Sequence, residues 1–380
     1  RRSRRSPHRQ RRQQGSGWCS RGYRSRVSDL DLGADIVELT VAVVNVPSES
    51  HHEGPLADMV ERALGRLPHL EVLRIGDNVI ARNHLGHSER VIIAGHLDTV
   101  PAAGNLPARV EQSAVVGLGS CDMKGGVAVA LSLAGASATA NRDITFVFYA
   151  AEEVEDEHNG LGRVLDARPD VLAGDLAILM EPSEAGIEAG CQGTLRAVVR
   201  THGTRAHSAR SWAGRNAIHA AESVLAILAA YEAREVDVDG LRYREGLNAV
   251  GIRGGVAGNV IPDLCEVIVN YRYAPDRTPD EAEAFVREVF SDYEIEVVDN
   301  ASGARPGLDR PATQAFVAAV GKQPRPKYGW TDVARFTAIG VPAVNFGPGD
   351  PLLAHTIDEY VPVEHLRSTL SALRLWLGLD

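Results

Sequence analysis

The chain's 380 residues, 44% hydrophobic and 24% charged, suffice for two domains with buried cores, and no stretch approaches the eighteen consecutive apolar residues of a membrane-spanning helix. The net charge of −10 hides an asymmetry: residues 1–27 hold ten arginines and no acid, so the remaining 353 residues carry −20, which argues against a nucleic-acid partner. The four cysteines, Cys19, Cys121, Cys191 and Cys265, form no Cys-x-x-Cys pair, which argues against a disulfide framework or zinc knuckle and for a reduced, cytoplasmic setting.

In chain order, residues 1–27 have the Arg-rich, acid-free composition of a basic arm or transit peptide, but no apolar periodicity and no initial Met. They are expected to be a disordered or non-native extension, read from upstream of a start near Val27. From Asp35 the pattern becomes that of an α/β protein. Leu56, Met59, Val60, Ala63, Leu64 and Leu67 recur at helical spacing within Pro55–Leu67, and a second helix is expected over Val127–Ala138. Short continuous apolar runs, Val91–Ala94, Ile144–Ala151, Leu176–Met180 and Val341–Phe346, suit strands buried on both faces of a largely parallel sheet.

Between about residues 190 and 299 the rhythm changes. Strands are expected over Thr194–Thr201, Ala249–Gly254, Leu264–Arg272 and Glu294–Val298, with helices over Asn216–Ala233 and Thr278–Phe290. Thr278-Pro279-Asp280-Glu281 supplies an N-cap, a proline at the first helical position and a capping-box glutamate. This βαββαβ order is ferredoxin-like. The expected organisation is a catalytic domain, residues 28–189 and 300–380, interrupted by a dimerisation or lid domain, residues 190–299.

The chemistry lies at strand ends, where ligands bind in open α/β sheets. Glu152-Glu153 follow one apolar run; His96, in Gly95-His96-Leu97-Asp98, follows another; Glu181 ends a third. A lone Glu-Glu pair or His-x-Asp is ordinarily a solvated strand end or loop, but these clusters recur in order along the chain. His96 offers an imidazole, and Asp98 can accept its other ring N–H and fix the tautomer. Asp122 lies in a Gly-rich turn and is a candidate bridging carboxylate, with Gly119 and Gly125 permitting close backbone approach.

These motifs, with Asp122-Met123-Lys124-Gly125-Gly126, Glu181-Pro182-Ser183, Gly203 to Arg210, Gly258 to Pro262, Tyr328 to Asp332 and a late His355, resemble the co-catalytic zinc aminoacylase and carboxypeptidase clan. Within it the chain is most similar to the actinobacterial branch that removes succinate from N-succinyl-LL-2,6-diaminopimelate. The resemblance runs from about Asp35 to the C-terminus. It implies a homodimeric amidohydrolase of lysine and diaminopimelate synthesis with two Zn²⁺ per subunit, for which Co²⁺ can substitute. One ion would bind His96 and Glu181, the other Glu153 and His355, with Asp122 bridging. Glu152 is the implied general base, Asp98 the partner of His96, and His207 the implied oxyanion donor reaching across a dimer. Arg272 and Asn259 match positions implied to hold substrate, with Thr194 and Thr331 as further polar candidates. The chain departs from the family pattern at Cys191-Gln192, where a basic residue often precedes the Gly-Ser or Gly-Thr step.

Cys121 is expected to be a packing residue, Glu155-Asp156-Glu157 a solvated loop, and His51, His52, His84 and His87 surface residues. Other substrates for the same chemistry are acetylornithine, acylated amino acids or dipeptides. A different class, a catalytically inactive binding protein using the Arg-rich arm, is disfavoured by the complete ligand set.

Overall fold

A computed structural model describes residues 29–379, so the basic extension expected over residues 1–27 lies outside the described residues. The central sheet has eight strands in the order Glu71–Ile75, Asn78–Arg82, Asp143–Tyr149, Arg90–His96, Leu176–Pro182, Ala343–Gly347, Glu188–Ala189 and Arg325–Pro326. Its middle four strands are parallel, and antiparallel strands flank them on both sides.

The apolar runs form these middle strands because both faces are covered. Val91, Ile93, Phe146 and Phe148 point into one core, with helices Ile36–Val44, Gly125–Ala136 and Val363–Leu377. Ile92, Ala94, Val147 and Tyr149 point into the other, with helices Gly160–Ala167 and Val333–Ala338. Full burial of each large apolar side chain contributes roughly 1.5–3 kcal/mol. The helix Gly125–Ala136 is buried almost all round, and its lack of a polar face follows from its place between the sheet and three other helices.

A second sheet, inserted between Glu188–Ala189 and Arg325–Pro326, is wholly antiparallel, with strand order Gly246–Gly254, Leu264–Tyr273, Gly193–His202 and Glu294–Ala301. Leu195, Ala197, Val199, Val267, Val269 and Tyr271 form its buried face, under helices Ala217–Ala229 and Pro279–Val289. This is the ferredoxin-like βαββαβ arrangement. Thr278 caps the second helix: its hydroxyl accepts the Glu281 N–H at 3.2 Å, and the Glu281 carboxylate accepts the Thr278 N–H at 2.8 Å. The first helix ends at Ala229, four residues before the expected Ala233, because the chain turns into a hairpin, Glu235–Val238 with Leu241–Arg244. Its turn is Asp239-Gly240, both with positive φ (51° and 85°), as a two-residue hairpin loop demands.

Candidate metal centre

Because the central strands run parallel, their carboxyl ends gather along one edge and bring distant residues together. His96 is the last residue of its strand, Glu152 and Glu153 follow Asp143–Tyr149, and Glu181 lies near the end of Leu176–Pro182. His96, Asp122 and Glu153 offer ligand atoms that all lie within 4.8 Å of one another. Asp122 faces two histidines: its Oδ1 is 3.1 Å from His96 Nε2, and its Oδ2 is 3.5 Å from His355 Nε2. His355 Nε2 is also 2.9 Å from Glu153 Oε1.

The loop presenting Asp122 is shaped by glycine and held by a carboxylate. Gly119 has φ +76°, and a Cβ there would lie 2.6 Å from Thr99 Cγ2; one at Gly125 would lie 2.5 Å from the Ser120 carbonyl oxygen. Glu359, 1% exposed, accepts main-chain N–H groups from Gly119, Cys121 and Asp122 at 2.9, 2.8 and 3.0 Å. Cys121 is buried with its Sγ 3.2 Å from the Asp350 carbonyl oxygen, and burial pushes the thiol far up, so it packs as a neutral group.

Asp98 lies against both His96 and the chain that carries Glu152 and Glu153. The nearest acceptor to His96 Nδ1 is the Asp98 main-chain oxygen at 3.1 Å, with the carboxylate Oδ1 at 3.5 Å. That carboxylate accepts the N–H of Glu152 and of Glu153, each at 3.0 Å, and the Ser50 hydroxyl at 2.8 Å. Against the cost of burial, the His96 imidazole and these N–H groups hold Asp98 down to about 2. Glu53 adds a further support by accepting the Ala151 N–H at 3.0 Å, where the chain has φ +57° just before Glu152.

The donor set fits divalent cations. Glu181 Oε1 is buried with no hydrogen-bond partner among the described residues, and burial with the nearby Asp122 charge pushes Glu181 up to about 8. Burial likewise raises Glu152 well above the usual carboxylate range. The Asp122 and Glu153 carboxylates raise His355 to about 10, and His96 is also raised: burial opposes this, and Asp122 and Asp98 outweigh it. Protons on the two imidazoles thus neutralise a crowded carboxylate group, and metal binding in such a site replaces those protons.

A cavity of about 440 Å³ opens from Asp122, Glu152, Glu153, Glu181 and His355 towards Lys327, Thr331 and Leu352. Lys327 is buried, with its Nζ 2.9 Å from Glu188 Oε2. Burial opposes its charge, but Glu188 and Glu181 hold its pKa above the ordinary lysine value. Thr331 is buried against Asn345, its Oγ1 donating at 3.2 Å. A second cavity, about 770 Å³, shares Glu152, Glu153 and Trp330 and reaches Thr194 and Arg196 on the inserted sheet.

The remaining sequence candidates lie apart from the cluster. His207 is exposed in the inserted unit, its Nδ1 accepting the Ala209 N–H at 3.0 Å. Asn259 is exposed beside it, its carbonyl accepting the Ser208 N–H at 2.9 Å. Arg272 is half-buried opposite Thr194, and its Nε donates to Asn270 Oδ1 at 3.1 Å; it lines neither cavity. Sequence reasoning missed Glu359 and Lys327. The Tyr328–Asp332 motif stops one residue short of Lys327, and Glu359 has no local signal.

Residues 92–377 match peptidase family M20/M25/M40, and the chain belongs to that family. It is 55% identical to "Putative succinyl-diaminopimelate desuccinylase DapE" of Mycobacterium tuberculosis over 352 residues, covering 92% of this chain and 99% of that protein. It is 48% identical to succinyl-diaminopimelate desuccinylase of Corynebacterium glutamicum over 360 residues, 92% and 98% of the two chains. Among solved structures, aminopeptidase PepT of Bacillus cereus superposes with a TM-score of 0.73 at 19% identity, over 90% of this chain and 97% of that one, a likeness of fold alone. Among the described residues no helix is long and apolar enough to cross a membrane.

Proposed function

We propose that this chain is a metal-dependent amidohydrolase that cleaves N-succinyl-LL-2,6-diaminopimelate to succinate and LL-2,6-diaminopimelate, in lysine and diaminopimelate synthesis. The observation that carries the reading is the 55% and 48% identity, over nearly the whole length, to proteins named for that activity.

His96 and Glu181 would hold one Zn²⁺ and Glu153 and His355 a second, with Asp122 between them and Co²⁺ as a substitute. In support, the two Asp122 oxygens face different histidines, and Glu181 Oε1 is buried without a partner among the described residues. When bound, the ions polarise the amide carbonyl and lower the pKa of water. Glu152 takes a proton from the water that adds to the carbonyl carbon and returns it to the departing nitrogen as the C–N bond breaks. The second water proton also ends on the amine, so succinate leaves as carboxylate and the product as ammonium. Such a positioned base contributes typically about 10²–10⁴-fold. Asp98 keeps Glu152, Glu153 and His96 in register by accepting from the first two main chains and facing the third side chain.

The inserted unit, about residues 190–299, is the dimerisation and lid domain of this reading. Trp212, Val250, Ile252 and Val256 on it are more than half exposed, an apolar surface that a second copy would cover. A two-fold dimer would then bring His207 and Asn259 of one subunit to the other's cleft, with His207 donating to the developing oxyanion. Thr194 and Thr331, one on each cavity, complete the substrate contacts, with Arg272 held beside Thr194 through Asn270.

The test is parallel assay of metal-loaded protein on N-succinyl-LL-2,6-diaminopimelate, N-acetylornithine and a dipeptide. A clear preference for the first supports the reading; preference for either other substrate overturns the named substrate while leaving the hydrolytic chemistry.

A further inference from the structure

On the inserted sheet, side chains alternate between the helix-covered face and an open one. Leu195, Ala197 and Val199 are buried under the helices, so Thr194 and Arg196 project from the opposite face, two residues apart on one strand. Across the ladder, Arg272 pairs with Thr194 and Asn270 with Arg196. Asn270 ties three of the four together: its Nδ2 donates to Thr194 Oγ1 at 3.1 Å, and its Oδ1 accepts from Arg272 Nε at 3.1 Å. Arg196 stands outside this network. It is exposed, and among the described residues its guanidinium has no ion pair and no hydrogen bond.

Arg196 nevertheless has a definite place, on the wall of the 770 Å³ cavity that also contains Glu152, Glu153 and Trp330. The charged side chains on its walls are otherwise acidic, Glu155, Asp156, Glu157 and Asp299 among them, so Arg196 is the one cation lining it among the described residues. At Cys191-Gln192, where the chain departs from the family pattern, the buried Gln192 donates its amide N–H to the Arg244 carbonyl at 2.8 Å.

We propose that Arg196 is the residue that recognises the carboxylate at the end of the substrate remote from the scissile amide. This inference rests on the desuccinylase reading. The diaminopimelate half of the substrate is the bulkier one and ends in an ammonium and a carboxylate on one carbon. The larger cavity matches both features, with a free guanidinium for the carboxylate and the acidic Glu155–Glu157 segment for the ammonium. The scissile amide would lie at Glu152, with the shorter succinyl arm directed into the 440 Å³ cavity lined by Lys327. A planar fork, unlike a lysine, can meet a carboxylate through two parallel hydrogen bonds.

The test compares Arg196→Ala and Arg196→Lys with wild type on two substrates: N-succinyl-LL-2,6-diaminopimelate and Nα-succinyl-L-lysine, which keeps the distal ammonium but lacks the distal carboxylate. Arg196→Ala should lower kcat/KM on the first about 10- to 100-fold, mainly through KM, and leave the second unchanged. Arg196→Lys should recover only part of the loss. Competitive inhibition by free LL-2,6-diaminopimelate supplies a second reading: its inhibition constant should rise by a similar factor in Arg196→Ala, while that of L-lysine stays the same. Equal losses on both substrates, or an unchanged diaminopimelate inhibition constant, would overturn the assignment. Wild-type protein that fails to turn over N-succinyl-diaminopimelate but cleaves another acyl amino acid would instead overturn the substrate reading beneath it.

Discussion

The carboxylate of Glu359 accepts the main-chain N–H of Asp122 at 3.0 Å, although 237 residues separate them in sequence. The same carboxylate accepts two further N–H groups of that loop, so one buried side chain fixes the direction in which Asp122 points. Replacing Glu359 with Ala leaves three N–H groups without their acceptor. Metal affinity, read by competition with a chromogenic chelator, should fall roughly 10- to 100-fold, the usual effect of losing a group that orients a ligand. Unchanged affinity in a folded Glu359→Ala protein would show that the loop holds its shape without it.

On the proposed reading, the neighbours Glu152 and Glu153 have separate tasks. Glu152→Gln should retain metal but lose about 10²–10⁴-fold in kcat, because an amide cannot take the proton. Glu153→Gln should instead weaken metal binding, since it removes the charge opposite His355. Near-normal turnover by Glu152→Gln would remove it from the proton-transfer role.

Chelation should abolish activity and lower the melting temperature together, because ions that bind only the folded chain stabilise it by mass action, by about 4 kcal/mol at a thousandfold excess over Kd. Calorimetry with and without added Zn²⁺ measures the shift. Full activity after verified metal removal would end the metallohydrolase reading.

If His207 serves the partner's site, His207→Ala and Glu152→Gln homodimers should each be nearly inactive, yet mixing them should restore activity. Random exchange makes about half the dimers mixed, each with one intact site, so roughly a quarter of wild-type activity should return. Verified subunit exchange without recovery would confine His207 to its own chain or to no catalytic part.

Asp98 gives the metal-free protein a defined acid sensitivity. Its carboxyl titrates at about 2 in the fold against an ordinary 3.8, so the stability it contributes is present above the unfolded value and is lost as pH falls through the folded one. The difference is on the order of 2 kcal/mol. Urea unfolding of metal-free Asp98→Asn should show a gap from wild type at pH 6 that narrows between pH 4 and pH 2. A gap of constant size would assign the loss to packing rather than charge.

The central strands were legible because continuous apolar runs such as Val91–Ala94 must be buried on both faces, and the polar residue ending each run then falls at the sheet edge. The placing of His96, Glu152-Glu153 and Glu181 at strand ends followed from that periodicity, whereas the choice of Glu153 over Glu152 as a ligand came from the family resemblance. Three things were not legible in the same way. The Asp239-Gly240 hairpin carried a clear local signal within an alternating stretch, but it lies between the expected helix, which ends at Ala233, and the next expected strand, and no element was assigned there. Glu359 and Lys327 act through contacts with residues far away in the chain, which no local spacing encodes. The surroundings of Arg272 and Arg196 depend on which face of the inserted sheet meets the catalytic edge, a tertiary choice that strand alternation leaves open.

The cluster is also drawn from widely separated stretches of chain. His355 meets Glu153 across 202 residues, and the whole inserted sheet lies between them. At a synthesis rate of about 5–20 residues per second, the ribosome delivers this histidine roughly 10–40 s after the glutamate. By the end of that interval the nascent chain carries Asp122, Glu153 and Glu181, and on the proposed reading it still lacks the last imidazole of the ligand set. The inserted sheet, whose strands all precede His355, therefore has time to form before the metal centre can close.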